Sequence, residues 1–175
     1  MQSNGFNYGE KPFANKRKQE YVLTQLKNLN VNGEEILEIG SGSGWLAKNL
    51  KQLGYNIITL DRNEKADINT KIEDYNPTKK WKIIIALEVL EHGFFNAKIS
   101  EILEENGTLI ASFPNPKLDG IMRFLSWNGL WNSQDKQHYL EHVNLFEPEE
   151  FPLKLVDKQS LCQVCYMCTY TKVRK

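Results

Sequence analysis

A glycine-rich turn between a strand-like run and a helical pattern constrains this chain more than any other stretch. Residues 36–39 form a short apolar run suited to a buried parallel strand, and apolar side chains recur at helical spacing over residues 45–50. Gly40, Gly42 and Gly44 alternate in the turn between them. Glycine lets a ligand approach the backbone closely, while the first amide groups of the next helix face that ligand. The stretch predicts an α/β fold with a nucleotide-like ligand at the turn.

The spacing within this turn separates two kinds of ligand. A dinucleotide fold requires Gly-x-Gly-x-x-Gly, but Trp45 occupies the place of the last glycine, where its bulk would crowd a pyrophosphate. An acid, Glu38, instead precedes the first glycine by two residues. These features disfavour an oxidoreductase of the NAD type. A tight turn without any ligand is the other alternative.

The sequence from Glu38 to Gly44, Glu-x-Gly-x-Gly-x-Gly, resembles motif I of class I S-adenosylmethionine (SAM) dependent methyltransferases. SAM presents an amino group, a carboxylate and a ribose but no phosphate, so a carboxylate beside a glycine turn suits it. The resemblance covers residues 36–151 and points to the methyltransferase type 11 and ubiquinone-pathway O-methyltransferase group. It implies a three-layer, Rossmann-like α/β sandwich with a seven-stranded, mostly parallel sheet and an antiparallel C-terminal strand. SAM, or S-adenosylhomocysteine (SAH) as product, would lie at the carboxyl ends of strands one, two and four.

The same resemblance assigns cofactor contacts outside the turn. Asp61 lies 21 residues after Gly40, the separation at which an acid ending the second strand can accept both ribose hydroxyls. Residues 71–77 resemble the adenine-flanking segment, but Lys71 replaces its usual acid and leaves Ile72 as the better contact. The expected cofactor-binding residues are Glu38, Gly40, Ser41, Gly42, Gly44, Asp61, Ile72 and Leu87.

The link between the second and third strands is unusually short. Few residues separate Asp61 from the extended piece at residues 66–68, whereas a parallel crossover that contains a helix takes about a dozen or more. We therefore expect the helix between these strands to be missing or vestigial. The short link and Lys71 also support a second hypothesis, a methyltransferase-like domain that binds SAM or a partner without catalysis.

Hydrophobic patterning predicts the other elements, and the chain reads as one domain over residues 1–175. They are an irregular aromatic arm before a helix that begins at Asn15 and ends near residue 28, strands at 35–39, 55–60, 81–87 and 109–113, a helix over 97–105, and two final antiparallel strands at 153–156 and 163–173.

Cys162, Cys165 and Cys168 are spaced like ligands of a metal cluster, but strand residues three apart point to opposite faces. We interpret these cysteines as small buried hydrophobes.

Four residues raise the question of a metal. Glu88, Glu91 and His92 form Glu-x-x-Glu-His after the fourth strand, and His142 follows later. Similar segments in small-RNA 3′-end 2′-O-methyltransferases and ubiquinone-pathway O-methyltransferases are associated with a divalent metal that orients a hydroxyl acceptor. Related enzymes carry the same Leu-Glu-His run without a metal, so both alternatives stay open. Displacement at a sulfonium needs mainly proximity and alignment, and no catalytic residue is assigned.

Residues 117–140 are the most aromatic part of the chain and follow the fifth strand. In the family that the chain resembles, an insertion at this place forms a lid over the substrate; the alternative is a helix that packs on the core or on a second subunit. The apolar side chains are Ile121, Met122, Phe124, Leu125, Trp127, Leu130 and Trp131. A lid of this composition suits a small apolar or aromatic acceptor.

Charge and hydropathy limit the partners. The chain has 22 basic and 22 acidic residues, so no overall field favours nucleic acid. No apolar run approaches the roughly 20 residues of a membrane helix, and the first residues lack the pattern of a signal peptide. We expect a cytoplasmic protein, either a monomer or a homodimer, that acts on a small molecule.

Overall fold

A seven-stranded sheet organises the residues that the structure, a computed structural model, describes: 12–128, 142–161 and 163–174. The strands are β1 (Glu35–Ile39), β2 (Asn56–Asp61), β3 (Ile68–Asn69), β4 (Trp81–Leu87), β5 (Leu103–Pro114), β6 (Lys154–Leu161) and β7 (Cys165–Thr171). Their order in the sheet is β3-β2-β1-β4-β5-β7-β6. The pairs that β7 forms with β5 and β6 are antiparallel, and the other strand pairs are parallel. The predicted Rossmann-like fold class is confirmed.

Helices cover both faces of this sheet. They are α1 (Pro12–Asn28), α2 (Trp45–Gln52), α3 (Asn96–Ile102) and α4 (Pro116–Trp127), with 3-10 helices at Ile72–Asp74, Leu90–His92 and Pro148–Glu150. One core cluster joins α1 and α2 to the sheet, and a second lies on the side of α3. The central strands are apolar on both sides because both faces are buried. Cys165 and Cys168 fall in different clusters, so they do point to opposite faces.

The link between β2 and β3 contains no helix, as expected; all of its residues, 62–67, are described. Asp67 connects this link to the neighbouring elements by hydrogen bonds. Its carboxylate accepts hydrogen bonds from the Thr59 amide at 2.9 Å and the Thr59 hydroxyl at 2.8 Å. Lys51 of α2 also donates to it, at 3.2 Å. The short link is therefore fastened to both the sheet and α2.

Some predicted boundaries are wrong. Helix α1 begins at Pro12 rather than Asn15, and proline suits a first helical turn because its missing N–H has no helical acceptor there. Helix α3 ends at Ile102, and β5 begins immediately afterwards. Residues 106–108, which the sequence placed between the helix and the strand, form an irregularity within β5, where the pairing passes from Trp81↔Leu103 to Ile83↔Thr108. Such a bulge depends on the partner strand.

Several predictions lie outside the described residues. These are residues 1–11 of the aromatic arm, residues 129–140 of the expected lid, and Cys162. Among the helices that the structure describes, none is long and apolar enough to cross a membrane.

Candidate functional site

The glycine turn lies at the carboxyl end of β1, between β2 and β4. Gly40, Gly42 and Gly44 have φ angles of 69°, 53° and 73°, in the left-handed region that favours glycine. A Cβ on Gly40 would overlap the side chain of Val89, whereas a Cβ on Gly42 or Gly44 would meet nothing within 4 Å. The turn is thus packed on one side and open on the other, where a ligand can approach its backbone.

Glu38 is a buried residue near the end of β1, two residues before this turn. It is 5% exposed, and one carboxyl oxygen, Oε2, has no hydrogen-bond partner among the described residues. Burial raises the pKa of Glu38 to about 8; the Ala47 amide, which donates to it, acts in the opposite direction, and the charge of Asp61 adds to the rise. A buried polar atom without a partner is costly, so the site favours a ligand that supplies one, and a cationic donor would in addition draw the Glu38 carboxyl towards its ionised form.

Asp61 ends β2 and contacts the turn directly. Its Oδ2 accepts a hydrogen bond from the Gly42 amide at 2.8 Å, and its Oδ1 accepts one from the Asn63 amide at 2.9 Å. Each carboxylate oxygen can accept a second hydrogen bond. Asp61 is only half-buried, so its carboxylate can receive the hydroxyls of a ligand beside the turn.

Other predicted cofactor residues have different environments. Ser41 is buried, and its carbonyl accepts the Gly44 amide at 2.8 Å. Leu87 ends β4 and is half-buried against the core on the α1 and α2 side. Ile72 begins a 3-10 helix, and its side chain is buried in the other core cluster. It therefore offers a ligand its backbone more than its side chain.

The carboxyl end of β4 carries a network of hydrogen bonds and an ion pair that the sequence did not predict. Glu88 has a φ of +55°, and its amide donates to the carbonyl and hydroxyl oxygens of Ser112 at 3.0 and 3.1 Å. The Ser112 hydroxyl donates to Glu88 Oε1 at 2.7 Å, and the Lys18 ammonium lies 3.0 Å from the same oxygen. Burial is the largest influence on Lys18 and lowers its pKa, but the charge and hydrogen bond of Glu88, together with the charges of Cys165 and Glu91, outweigh it, so the pKa is raised. Lys18 had no distinguishing signal among the other basic residues of α1.

Glu91, His92 and His142 converge as candidate metal ligands. One ligand atom from each lies within 4.8 Å of the others, and Glu91 and His142 are buried. The amides of Val143 and Asn144 donate to the Glu91 carbonyl at 2.8 and 3.0 Å, which brings the two distant segments together. Two imidazoles and a carboxylate form a donor set that suits a divalent transition metal. Glu88, the fourth predicted candidate, is outside this group.

Helix α4 follows β5 and presents an apolar face to solvent. Ile121, Phe124 and Trp127, spaced three residues apart, are 55%, 65% and 73% exposed. Residues three apart lie on the same side of a helix. The described part of the expected lid is therefore a helix with an exposed apolar face, next to the end of β5.

Known proteins resemble this chain in sequence and in fold. A family model described as a methyltransferase domain matches residues 13–152. A ubiquinone biosynthesis O-methyltransferase of Bradyrhizobium diazoefficiens is 29% identical over 111 residues, which cover 51% of this chain and 44% of that protein. The chain thus matches less than half the length of this curated relative.

Two solved structures share the fold. One is the N-methyltransferase NodS from Bradyrhizobium japonicum in complex with SAH, with a TM-score of 0.62, 14% identity and coverage of 99% of this chain and 94% of NodS. The other is the magnesium protoporphyrin IX methyltransferase ChlM from Synechocystis with bound SAH, with a TM-score of 0.64, 16% identity and coverage of 98% and 89%. At these identities the likeness concerns the fold alone.

Proposed function

The chain belongs to the methyltransferase domain family, and from that premise we propose that it transfers a methyl group from SAM to a small, apolar or aromatic acceptor. The observation that carries the proposal is the buried Glu38 carboxyl, whose Oε2 lacks a partner among the described residues and which precedes an open glycine turn by two residues. That arrangement fits a ligand with a cationic amino group and no phosphate. The relatives support the same cofactor, since NodS and ChlM were both solved with SAH.

Each part of the site has a role in this proposal. The positive charge of a bound amino group would stabilise the ionised form of Glu38, and the ionised carboxylate would accept a hydrogen bond from that group. The backbone of Gly42 and Gly44 gives room for close approach, and Asp61 accepts ribose hydroxyls. SAM supplies an activated methyl group on a sulfonium. The chain itself supplies position and alignment and excludes water, which such a displacement mainly requires.

Binding of the cofactor tests the proposal first. Calorimetry should give a dissociation constant for SAH in the micromolar range, whereas NAD should give no heat. At about 100-fold saturation SAH should stabilise the fold by roughly 2.7 kcal/mol and raise its melting temperature. If calorimetry shows no heat of binding at millimolar SAH, the proposal is refuted. If SAH binds but no acceptor in a panel of small hydroxylated aromatics is methylated, binding without catalysis becomes the better hypothesis.

Glu91, His92 and His142 favour a second candidate, metal-assisted transfer to a hydroxyl. A divalent metal held there would lower the pKa of a bound hydroxyl. The relative's name, an O-methyltransferase, agrees with an oxygen acceptor. Titration with Zn²⁺ or Mg²⁺ should raise the melting temperature of the wild type but not of His142→Ala. Equal shifts in both proteins would exclude this ligand set.

A further inference from the structure

A buried lysine on the first helix reaches the carboxyl end of the central strand. The Lys18 ammonium lies 3.0 Å from Glu88 Oε1, and its side chain is only 13% exposed. Lys18 belongs to α1, whereas Glu88 directly follows β4. Fixing a lysine in one buried conformation costs side-chain entropy and desolvation. The contact therefore differs from a pair such as that of Lys82 with Glu34, in which the lysine side chain is 57% exposed.

Glu88 is held from two directions. Its left-handed φ of +55° is strained for a residue with a side chain. Ser112, fully buried in β5, accepts the Glu88 amide and donates its hydroxyl to Glu88 Oε1. Lys18 binds the same oxygen from the side of α1. Backbone and carboxylate are therefore both fixed, and the strain is offset by these contacts.

The position of Glu88 links it to the reaction centre. The next residue, Val89, packs against Gly40 of the glycine turn. On the other side, β5 leads through Pro114 towards α4. The Glu88 side chain is 32% exposed, so a third of it is accessible to solvent at the carboxyl end of β4. A carboxylate in that place can accept a hydrogen bond from an O–H or N–H group.

We propose that Lys18 is a positioning residue that fixes the Glu88 carboxylate to accept a hydrogen bond from a hydroxyl or amine of the methyl acceptor. The inference rests on the proposed function and narrows the acceptors to molecules that carry such a donor near the methylated position. A lysine that only fastened α1 to the sheet would leave acceptor binding unchanged.

Hydrogen exchange tests the positioning. Lys18→Met should speed amide exchange over residues 88–92 about tenfold, which corresponds to one charge-assisted hydrogen bond. Lys18→Arg should restore slow exchange. Lys82→Met breaks an exposed pair at the amino ends of β1 and β4 and should not change exchange over residues 88–92. If exchange rises only in α1, or if 88–92 are unaffected, the positioning role is overturned. Ser112→Ala provides a second variant should Lys18→Met fail to fold, with the same expected direction.

Acceptor binding tests whether the Glu88 carboxylate contacts the acceptor. The probe is catechol, added to protein that is saturated with SAH. Catechol should bind the wild type, and Lys18→Met and Glu88→Gln should each weaken it about tenfold, while SAH affinity stays within about twofold. Lys18→Arg and Lys82→Met should bind it as the wild type does. Absence of catechol binding in the wild type, or equal binding in Lys18→Met, would overturn the proposed contact between the acceptor and Glu88. Normal catechol binding without turnover would count against the proposed function alone.

Discussion

At the scale of single residues, the glycine turn is determined by backbone angle more than by packing. Two constraints require glycine at position 40: its φ is positive, and Val89 occupies the space that a side chain would take. Gly42 and Gly44 have open space where a Cβ would lie. What requires glycine at these two positions is the left-handed angle and, on our proposal, the approach of a ligand.

Gly42→Val should therefore abolish SAH binding. Gly33→Val is the matched control, since Gly33 also has a positive φ, of 78°, with nothing within 4 Å of its Cβ position, but it lies before β1. Both variants should lose about 1–3 kcal/mol of stability to backbone strain. Only Gly42→Val should lose the calorimetric signal of SAH. Normal binding by this variant would mean that the turn is not the site.

Asp61→Ala should weaken SAH binding by about 1–3 kcal/mol, the range for charge-assisted hydrogen bonds. Asp61 also fastens the Gly42 amide, so the change removes both a ligand contact and support for the turn. Asp157→Ala is the control, because Asp157 forms a comparable hydrogen bond, with Gln25, on the edge strand β6. Equal dissociation constants for the wild type and Asp61→Ala would place the ribose elsewhere.

At the scale of elements, burial decides what the sequence predicts. Strands β1 and β4 have the predicted bounds because their apolar runs are buried on both faces and are followed by Gly40 and Glu88. The junction of α3 and β5 was predicted wrongly because Leu103 joins the sheet by pairing with Trp81, a partner that no local pattern identifies. The absent helix after β2 was predictable from length alone.

The apolar face of α4 carries a prediction of its own. Replacing Trp127 and Trp131 together by alanine should leave SAH affinity nearly unchanged and depress turnover, because a lid acts on the acceptor and on water. Trp127 is 73% exposed, so its loss should cost little stability. Val156→Ala is a control for removal of an exposed apolar side chain on β6. If the double variant unfolds, or a dimer dissociates, the segment belongs to the core or an interface.

At the scale of the whole molecule, the candidate site depends on contacts between distant segments. Motif I and Asp61 are close in sequence, and their convergence at one edge of a parallel sheet could be predicted. Lys18 and Glu88 meet only because α1 packs across the sheet, and nothing in the local sequence indicates it. His142 was predicted through the resemblance, whereas the hydrogen bonds that bring it to Glu91 are visible only in the fold.

The pH dependence of global stability should report on Glu38. Burial raises the pKa of its carboxyl group from the usual 4.5 to about 8. Between these values the folded protein keeps a proton that the unfolded chain releases, so stability is greatest below the lower value and is lost as the pH rises towards the higher one. In Glu38→Gln that loss should be much smaller across the same window. Glu34→Gln is the control, because Lys82 lowers the pKa of Glu34 to about 2 and its titration falls below this range. Urea unfolding of the three proteins at pH 5, 6, 7 and 8 measures the slopes, and equal slopes in the wild type and Glu38→Gln would show that Glu38 is ionised in the folded protein.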